Sequence, residues 1–361
     1  MTHLRFETVL AFAQRYERPL ATALFIGGFV SDLLTFGLLN LPSVIKLFVA
    51  YLVIVIVVTL ISHRAASKQG GKLRRSITIL GPLLAQFVIG SLLSGFLIFY
   101  TKSAVLSVSW PFLILLGLIF FGNEVFRNYR DHLVFQSLLI FFSLYAFSIF
   151  ALPLYLGRLG KIVFLESTTL TIAAFIVYLL LLGLLGWKRL RRALNLILIS
   201  AAIATFLIVS AYLTNLLPPI PLALKSGGIY HSITHTEGMY ALTGEPVRAW
   251  FDPRIQIVHH VAGTPLYAFS SIFAPGDFTT TIVHHWQWYN PISKKWIDEA
   301  SIAFPLSGGR EQGYRGYSMK SDPQAGKWRV IVQTIDGQVM GKLSFTVVNE
   351  SSEPTLITEV R

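Results

Sequence analysis

Six of the chain's nine histidines lie beyond residue 230: His231, His235, His259, His260, His284 and His285. Imidazole ligates zinc and copper readily and titrates nearest to neutral pH. A metal centre needs three or four such ligands converging at about 2 Å, and His231, His235, His260 and His285 form the candidate set. No His-Glu-x-x-His run or other local metal signature accompanies them. The competing reading makes His259 and His284 half-buried packing residues with one hydrogen bond each and leaves the others solvated. A metal ion is therefore the one cofactor these residues could hold, and nothing else in the chain calls for a cofactor. The absence of cysteine excludes thiolate ligands and thiolate catalysis.

Aromatic side chains suggest a second chemistry. Trp250, Trp286, Trp288, Trp296 and Trp328 share the same region. An exposed indole or phenol on a sheet can stack on a sugar ring or another flat apolar face. Trp286 and Trp328 sit among alternating apolar residues and read as core. Trp288, Tyr289 and Trp296, around the turn at 290–295, are the candidate binding residues. Catalytic groupings are missing from the pattern. Asp298 and Glu299 are adjacent and point to opposite strand faces, which is not the spacing of paired catalytic carboxylates. Ser301, Ser307 and Ser318 lack a nucleophile-elbow context.

A third set lies in apolar sequence: Asp32, Lys46 and Gln86, with Gln136 and Glu166 nearby. Ionisable groups inside a membrane are costly, so each is a candidate for transport chemistry. The plainer expectation is that Asp32 reaches Lys46 across the tight turn at 40–43 while Lys46 otherwise snorkels to the surface. One deep acid without paired broken helices is thin support for a carrier.

These residues depend on two kinds of element. Seven apolar stretches, at 20–39, 43–61, 77–100, 104–121, 133–152, 167–187 and 193–217, are each about long enough to cross roughly 30 Å of hydrocarbon. In lipid each must be helical, because backbone amides find no other partner there. Basic residues set the orientation. Arg5, Arg15 and Arg18 precede the first stretch; Arg64, Lys68, Lys72, Arg74 and Arg75 separate the second from the third; Arg127 and Arg130 follow the fourth; Lys188, Arg189, Arg191 and Arg192 follow the sixth. Basic loops stay cytoplasmic, so the N-terminus is expected inside and the C-terminal region outside, across a bacterial inner membrane. A segment at 1–19, with Phe6, Val9, Leu10, Ala13 and Tyr16 at helical spacing, reads as an amphipathic helix on the inner surface.

The net charge of +12 belongs to those loops. They face anionic lipid headgroups, and the chain from Pro218 onward balances twelve basic against twelve acidic residues. The high isoelectric point therefore carries no nucleic-acid reading, and the bilayer is the partner it implies. Beyond the last span, 218–228 reads as a Pro/Gly-rich spacer. Residues 229–348 alternate apolar and polar in short runs separated by turn signals, Asp336-Gly337 above all. That pattern predicts an antiparallel β-sandwich outside the membrane, with 349–361 as a polar tail.

The run Ile282-Val283-His284-His285-Trp286, then Gly316-Tyr317-Ser318-Met319-Lys320, Gly326-Lys327-Trp328-Arg329-Val330 and Asp336-Gly337-Gln338-Val339, resembles a known pattern. It is similar to uncharacterised bacterial membrane proteins carrying a C-terminal domain of unknown function 2914. The likeness covers roughly 246–348, and the family's His-x-Trp falls on His284 and Trp286. The stretch at 314–316 departs from the family's usual Arg-Trp-Arg-like segment. The resemblance implies a β-domain behind a multi-span anchor and implies no activity. The expected function is a non-catalytic envelope protein whose sandwich binds a partner protein or a glycan. The alternatives are a transporter or lipid-handling protein using the bundle around Asp32, and a metal-binding exported domain.

Overall fold

The computed structural model describes residues 27, 29–32, 34, 41–67, 71–103, 114, 133–217, 222–236, 238–246, 256–274, 278–308, 313–352 and 354–361. The chain divides into two compact units, one holding the helices and one holding the strands. The expected segment at 1–19, most of the expected spans at 20–39 and 104–121, and Trp250 lie outside the described residues.

Four helices make up the described part of the first unit: α1 (Leu41–Ala66), α2 (Lys72–Ser103), α3 (Leu133–Leu156) and α4 (Lys161–Leu213). Among the described residues α1, α3 and α4 are long and apolar enough to cross a membrane, and α2 contains a shorter apolar stretch, Phe87–Ile98. The 26 residues of α1 rise about 39 Å. Val53, Leu180, Leu184, Leu196 and Phe206 are exposed, as on helices that face lipid. Inside, Phe48 meets Phe96 and Phe150 edge to face at centroid distances of 5.0 and 5.9 Å. Polar side chains tie neighbours together. Tyr100 donates to the Ala146 carbonyl at 3.2 Å, Ser137 pairs with Tyr178 at 3.1 Å, and Tyr145 pairs with Thr168 at 2.8 Å. Such bonds matter between helices whose apolar surfaces gain nothing by leaving lipid.

The spans expected at 43–61, 77–100 and 133–152 fall inside α1, α2 and α3. Those expected at 167–187 and 193–217 are not separated by a loop. They form one element of 53 residues, α4, interrupted at Gly186, where φ −175° and ψ 67° leave the helical region. A straight helix of that length would measure about 80 Å. The break between them is the kink at Gly186 and not a charged loop, because Lys188, Arg189, Arg191 and Arg192 are good helix formers, and charge marks topology without stopping a helix.

The second unit holds eleven strands: β1 (Ala223–Tyr230), β2 (Ser232–Thr236), β3 (Met239–Gly244), β4 (Gln256–Val261), β5 (Pro265–Phe273), β6 (Thr279–Asn290), β7 (Lys295–Ser307), β8 (Tyr314–Ser321), β9 (Gly326–Thr334), β10 (Val339–Glu350) and β11 (Ile357–Val360). They form a three-stranded sheet β1-β5-β8, a five-stranded sheet β4-β10-β9-β6-β7 and a small sheet β11-β3-β2. The first two pack face to face. Ile229, Leu266 and Ala268 on one side share a core with Val258, Trp286, Trp328, Val330, Phe345 and Val347 on the other. Phe269, of opposite parity to Ala268, instead packs with Tyr230 and Leu242. The small sheet therefore covers the outer side of the first.

Three expectations need correction. The sheet is mixed, since β4 runs parallel to β10, with Phe345 opposite Gln256; a parallel partner leaves no mark on one strand's alternation. The spacer at 218–228 is too long, because β1 starts at Ala223 and its Gly227 and Gly228 pair with Ser270 and Phe269. The expected polar tail at 349–361 is partly strand: β10 continues to Glu350, and β11 pairs with β3. The Asp336-Gly337 turn does join β9 to β10, with Gly337 at φ 85°, where glycine carries no steric penalty.

Two predictions follow from the packing. A fragment covering 222–361 should show β-type circular dichroism and melt cooperatively. Trp286 is fully buried, so Trp286→Ala in that fragment should lower the stability read from urea unfolding by about 3–5 kcal/mol.

Candidate binding face

Strand alternation gives the five-stranded sheet two unlike faces. On β6, His284, Trp286 and Trp288 turn toward the other sheet, while His285, Gln287 and Tyr289 turn away. Register brings specific neighbours to the outward residues. Gln287 lies opposite Asp298, Tyr289 opposite Trp296 and His285 opposite Ser301 on β7, and Gln287 lies opposite Arg329 on β9. A shift in the β6–β7 register between Trp286 and Gln287 skips Glu299, the single-residue signature of a bulge. Without it Asp298 and Ser301 could not share a face.

The outward side chains form a connected array. Arg329 Nε donates to Gln287 Oε1 at 2.5 Å, and Gln287 Nε2 donates to Asp298 Oδ1 at 2.6 Å. The same Asp298 oxygen bonds His285 Nε2 at 2.8 Å, and His285 Nδ1 bonds Ser301 Oγ at 2.6 Å. Beside this line Tyr289 and Trp296 meet edge to face, centroids 5.3 Å apart. The Arg329 guanidinium lies 4.2 Å from the Trp296 ring centroid, a cation–π contact. Hydrogen bonds from Gln287 and His285 hold the Asp298 carboxyl below the usual carboxylate range. Partial burial, together with the nearby Arg329, pushes the Lys342 ammonium down.

Ser301, His285 and Asp298 have the connectivity of a hydroxyl–imidazole–carboxylate relay. Asp298 is 67% exposed, however, and Ser301 is also exposed. A relay of this kind draws its strength from a water-excluded site. What the array offers is a set of fixed donors and acceptors around two aromatic rings.

Tyr289 and Trp296, two of the three candidate binding residues, are paired in the structure. Trp288, the third candidate, belongs elsewhere: its indole packs against the core and donates to the Ala325 carbonyl at 3.2 Å. The alternation that sets Tyr289 outward turns its neighbour inward. Gln287, Asp298, Ser301 and Arg329 were not singled out as binding residues. The parity of β6 placed Gln287 with His285, but the partners from β7 and β9 come only with register.

The four candidate metal ligands do not converge. His231 Nε2 bonds Glu245 at 3.2 Å, and the His235 ring lies 4.4 Å from that of Tyr240. His260 bonds the Thr264 carbonyl at 2.8 Å, and His285 belongs to the array above. Among the described residues no group of three or more His, Cys, Asp or Glu side chains is placed to hold a metal ion. His259 shares Glu245 with His231, and its 2.8 Å contact with that carboxylate raises its pKa. His284 is a packing residue as the competing reading expected, but fully buried instead of half-buried and with two hydrogen bonds instead of one: Nε2 to Ser270 Oγ and Nδ1 to Ser318 Oγ, both 2.8 Å. Trp286 Nε1 donates to the same Ser318 oxygen at 2.9 Å. Burial lowers the His284 pKa to about 4.

In the helical unit Asp32 is buried and accepts a hydrogen bond from Ser94 Oγ. Lys46, its expected partner, is exposed on α1. A serine on α2 supplies the donor expected of the lysine. Gln86 lies within α2, and its side chain is outside the described residues.

Residues 279–347, which are β6 through most of β10, match the model of a family described as "Protein of unknown function (DUF2914)". The C-terminal region therefore carries the domain that the sequence motifs resembled. No curated protein matches the chain. Among solved structures, an immunoglobulin-like protein from Pseudomonas aeruginosa is 11% identical over 35% of this chain and 96% of its own, at a TM-score of 0.21. A β-glucosidase from Listeria innocua in complex with isofagomine is 14% identical over 31% of this chain and 16% of its own, at 0.20. A Pseudomonas fluorescens alkylpurine DNA glycosylase is 10% identical over 83% of this chain and 98% of its own, at 0.22. Likenesses this slight carry no argument about this protein.

His284 gives a pH prediction. The folded chain resists a proton that the unfolded chain accepts near 6.5, so this contribution is intact above that pH and is lost on acidification toward 4. The loss totals about 3 kcal/mol at 1.36 kcal/mol per pH unit. His259, with its raised pKa, contributes in the opposite sense, and its stabilisation disappears as pH rises through that value. The urea midpoint of the 222–361 fragment should therefore fall between pH 6.5 and 4.5, and less steeply in His284→Gln. A midpoint that rises on acidification would contradict the burial argument.

Proposed function

We propose that this chain is a non-catalytic multi-pass protein of the bacterial cell envelope whose β-domain binds a glycan through the outward face of its five-stranded sheet. The observation that carries the reading is the array of Tyr289, Trp296, Arg329, Gln287, Asp298 and His285. A sugar ring presents apolar C–H faces and a rim of hydroxyls. Aromatic rings complement the faces, and planar charged or amide groups complement the rim, charge-assisted bonds being the stronger ones. Ring and rim groups here lie side by side and are already held by one another, which reduces the ordering cost of binding.

The same reading includes seven spans, with α4 counted as two about Gly186. The N-terminus is cytoplasmic and the β-domain lies on the opposite side. Two arguments support it: the seven apolar stretches, and the bias of basic residues toward alternate loops. An even number of spans would put both ends on one side.

Binding of envelope oligosaccharides to the purified full chain, followed by calorimetry or on a glycan array, tests the face. Trp296→Ala with Tyr289→Ala should weaken binding at least tenfold, the loss expected for central aromatic anchors. Asp32→Asn and Trp288→Phe should leave it unchanged. A glycan whose affinity ignores the Tyr289/Trp296 pair, or a protein whose function fails only with Asp32→Asn, would overturn the assignment in favour of the helical bundle. Orientation is tested separately. Reporter fusions after Ser67 and after Ser352 should read cytoplasmic and exported; the reverse at either position would reject the seven-span topology.

A further inference from the structure

Gly186 interrupts α4 where α1 ends. With the helical ladder broken there, the Leu185 and Gly186 carbonyls bond α1 side chains: Arg64 Nη1 donates to Leu185 O at 3.3 Å, and His63 Nε2 approaches Gly186 O at 3.2 Å. Glycine leaves room for this approach without displacing either side chain. A Cβ at position 186 would stand 2.5 Å from Ser67 Oγ and 2.7 Å from His63 Nε2. The last turn of α1 is thereby fixed against α4, and a cleft of about 470 Å³ remains between α1, α2 and the kink. Its volume is within the ~300–1,000 Å³ range of small-molecule sites.

The cleft is amphipathic along its length. Val57, Leu60, Ile61, Ile77 and Leu185 line it, and Arg64 and Arg74 supply its charge. Positions 57, 60, 61, 64 and 65 recur at the spacing of one helical face, so an apolar stripe about 10 Å long leads up to the guanidinium of Arg64. Arg64 spends one N–H on Leu185, and that bond orients the fork without exhausting its five donors. Apolar lining closed by two arginines matches a ligand with a hydrocarbon tail and an anionic head. Guanidinium forks suit phosphate oxygens in particular, and basic pockets between helices bind phospholipid heads in this way.

We infer that this cleft is a phospholipid site: one acyl chain lies along Val57–Leu60–Ile61, and the phosphate of an anionic headgroup sits between Arg64 and Arg74. Occupancy would bridge α1, α2 and the kink in α4, tying the bundle to the lipid of the leaflet at that end.

The test uses the delipidated full chain in detergent, titrated with phosphatidylglycerol, phosphatidylcholine or inorganic phosphate and read by native mass spectrometry. Phosphatidylglycerol should bind at least tenfold more tightly than phosphatidylcholine. Arg64→Gln with Arg74→Gln should abolish that preference, and Leu60→Trp should weaken binding of both lipids by filling the groove. Arg191→Gln with Arg192→Gln, which removes two exposed charges outside the cleft, should change nothing. Photoactivatable phosphatidylglycerol on the unmodified protein gives a readout independent of how the variants fold, and its label should concentrate on 57–65 and 74–77. Equal binding of both lipids would overturn the site, as would inorganic phosphate protecting it from the lipid. So would a loss in the Arg191/Arg192 variant as large as in the Arg64/Arg74 variant, or label spread evenly over the helices.

Discussion

The β-unit depends on the register of β6 between its two neighbours. Side chains on a strand alternate with a period of two, so a slip of one residue would exchange the faces of the sheet. In the observed register Trp286 lands against Trp328 and Phe345, edge to face with both at 6.3 and 6.2 Å. In the same register Gln287 lands between Asp298 and Arg329. Core and face are thus two consequences of a single alignment, and a change that loosens the tryptophan cluster also disperses the polar array. The skipped Glu299 shows how closely the two are linked, since one irregularity in β7 restores the alternation on both sides of the sheet.

Register is reinforced from inside by a polar group that cannot move. His284 has no exposed surface and is tied to Ser270 on β5 and Ser318 on β8. A buried imidazole left without partners would carry a desolvation cost of a few kcal/mol. Only the native pairing of the two sheets supplies both hydroxyls, so the network penalises alternative alignments that an all-apolar core would tolerate. The Trp286 indole shares the Ser318 oxygen, and one of the two largest core side chains is thereby bound to the same constraint.

In the helical unit the corresponding constraint is backbone satisfaction. Lipid offers no hydrogen bonds, so an interruption such as that at Gly186 persists where neighbouring side chains take up the carbonyls it releases. His63 and Arg64 do this, and Asp32 is accommodated by Ser94 on the same principle. Both cases replace an expected charge partner or loop with a neutral or backbone contact across helices.

The sequence by itself determined the period of each element and therefore its kind. Apolar runs of span length, basic residues between them and alternating strands from β4 to β10 were all legible, as were the inward Trp286 and Trp328, because these features are encoded locally. Tertiary structure decided whatever depends on which strand or helix comes alongside. The parallel β4–β10 pair, the strand Ala223–Tyr230 made from an apparent spacer and the docking of β11 on β3 are fixed by partners that single-strand patterning does not name. For the same reason Tyr289 and Trp296 could be chosen from sequence, while Asp298, Gln287 and Arg329 could not. Their proximity is a fact of cross-strand alignment. Four histidines that look like one ligand set along the chain are spread over the β1–β2 junction, β2, β4 and β6, because nearness in sequence sets no distance between strands once the sheets have formed.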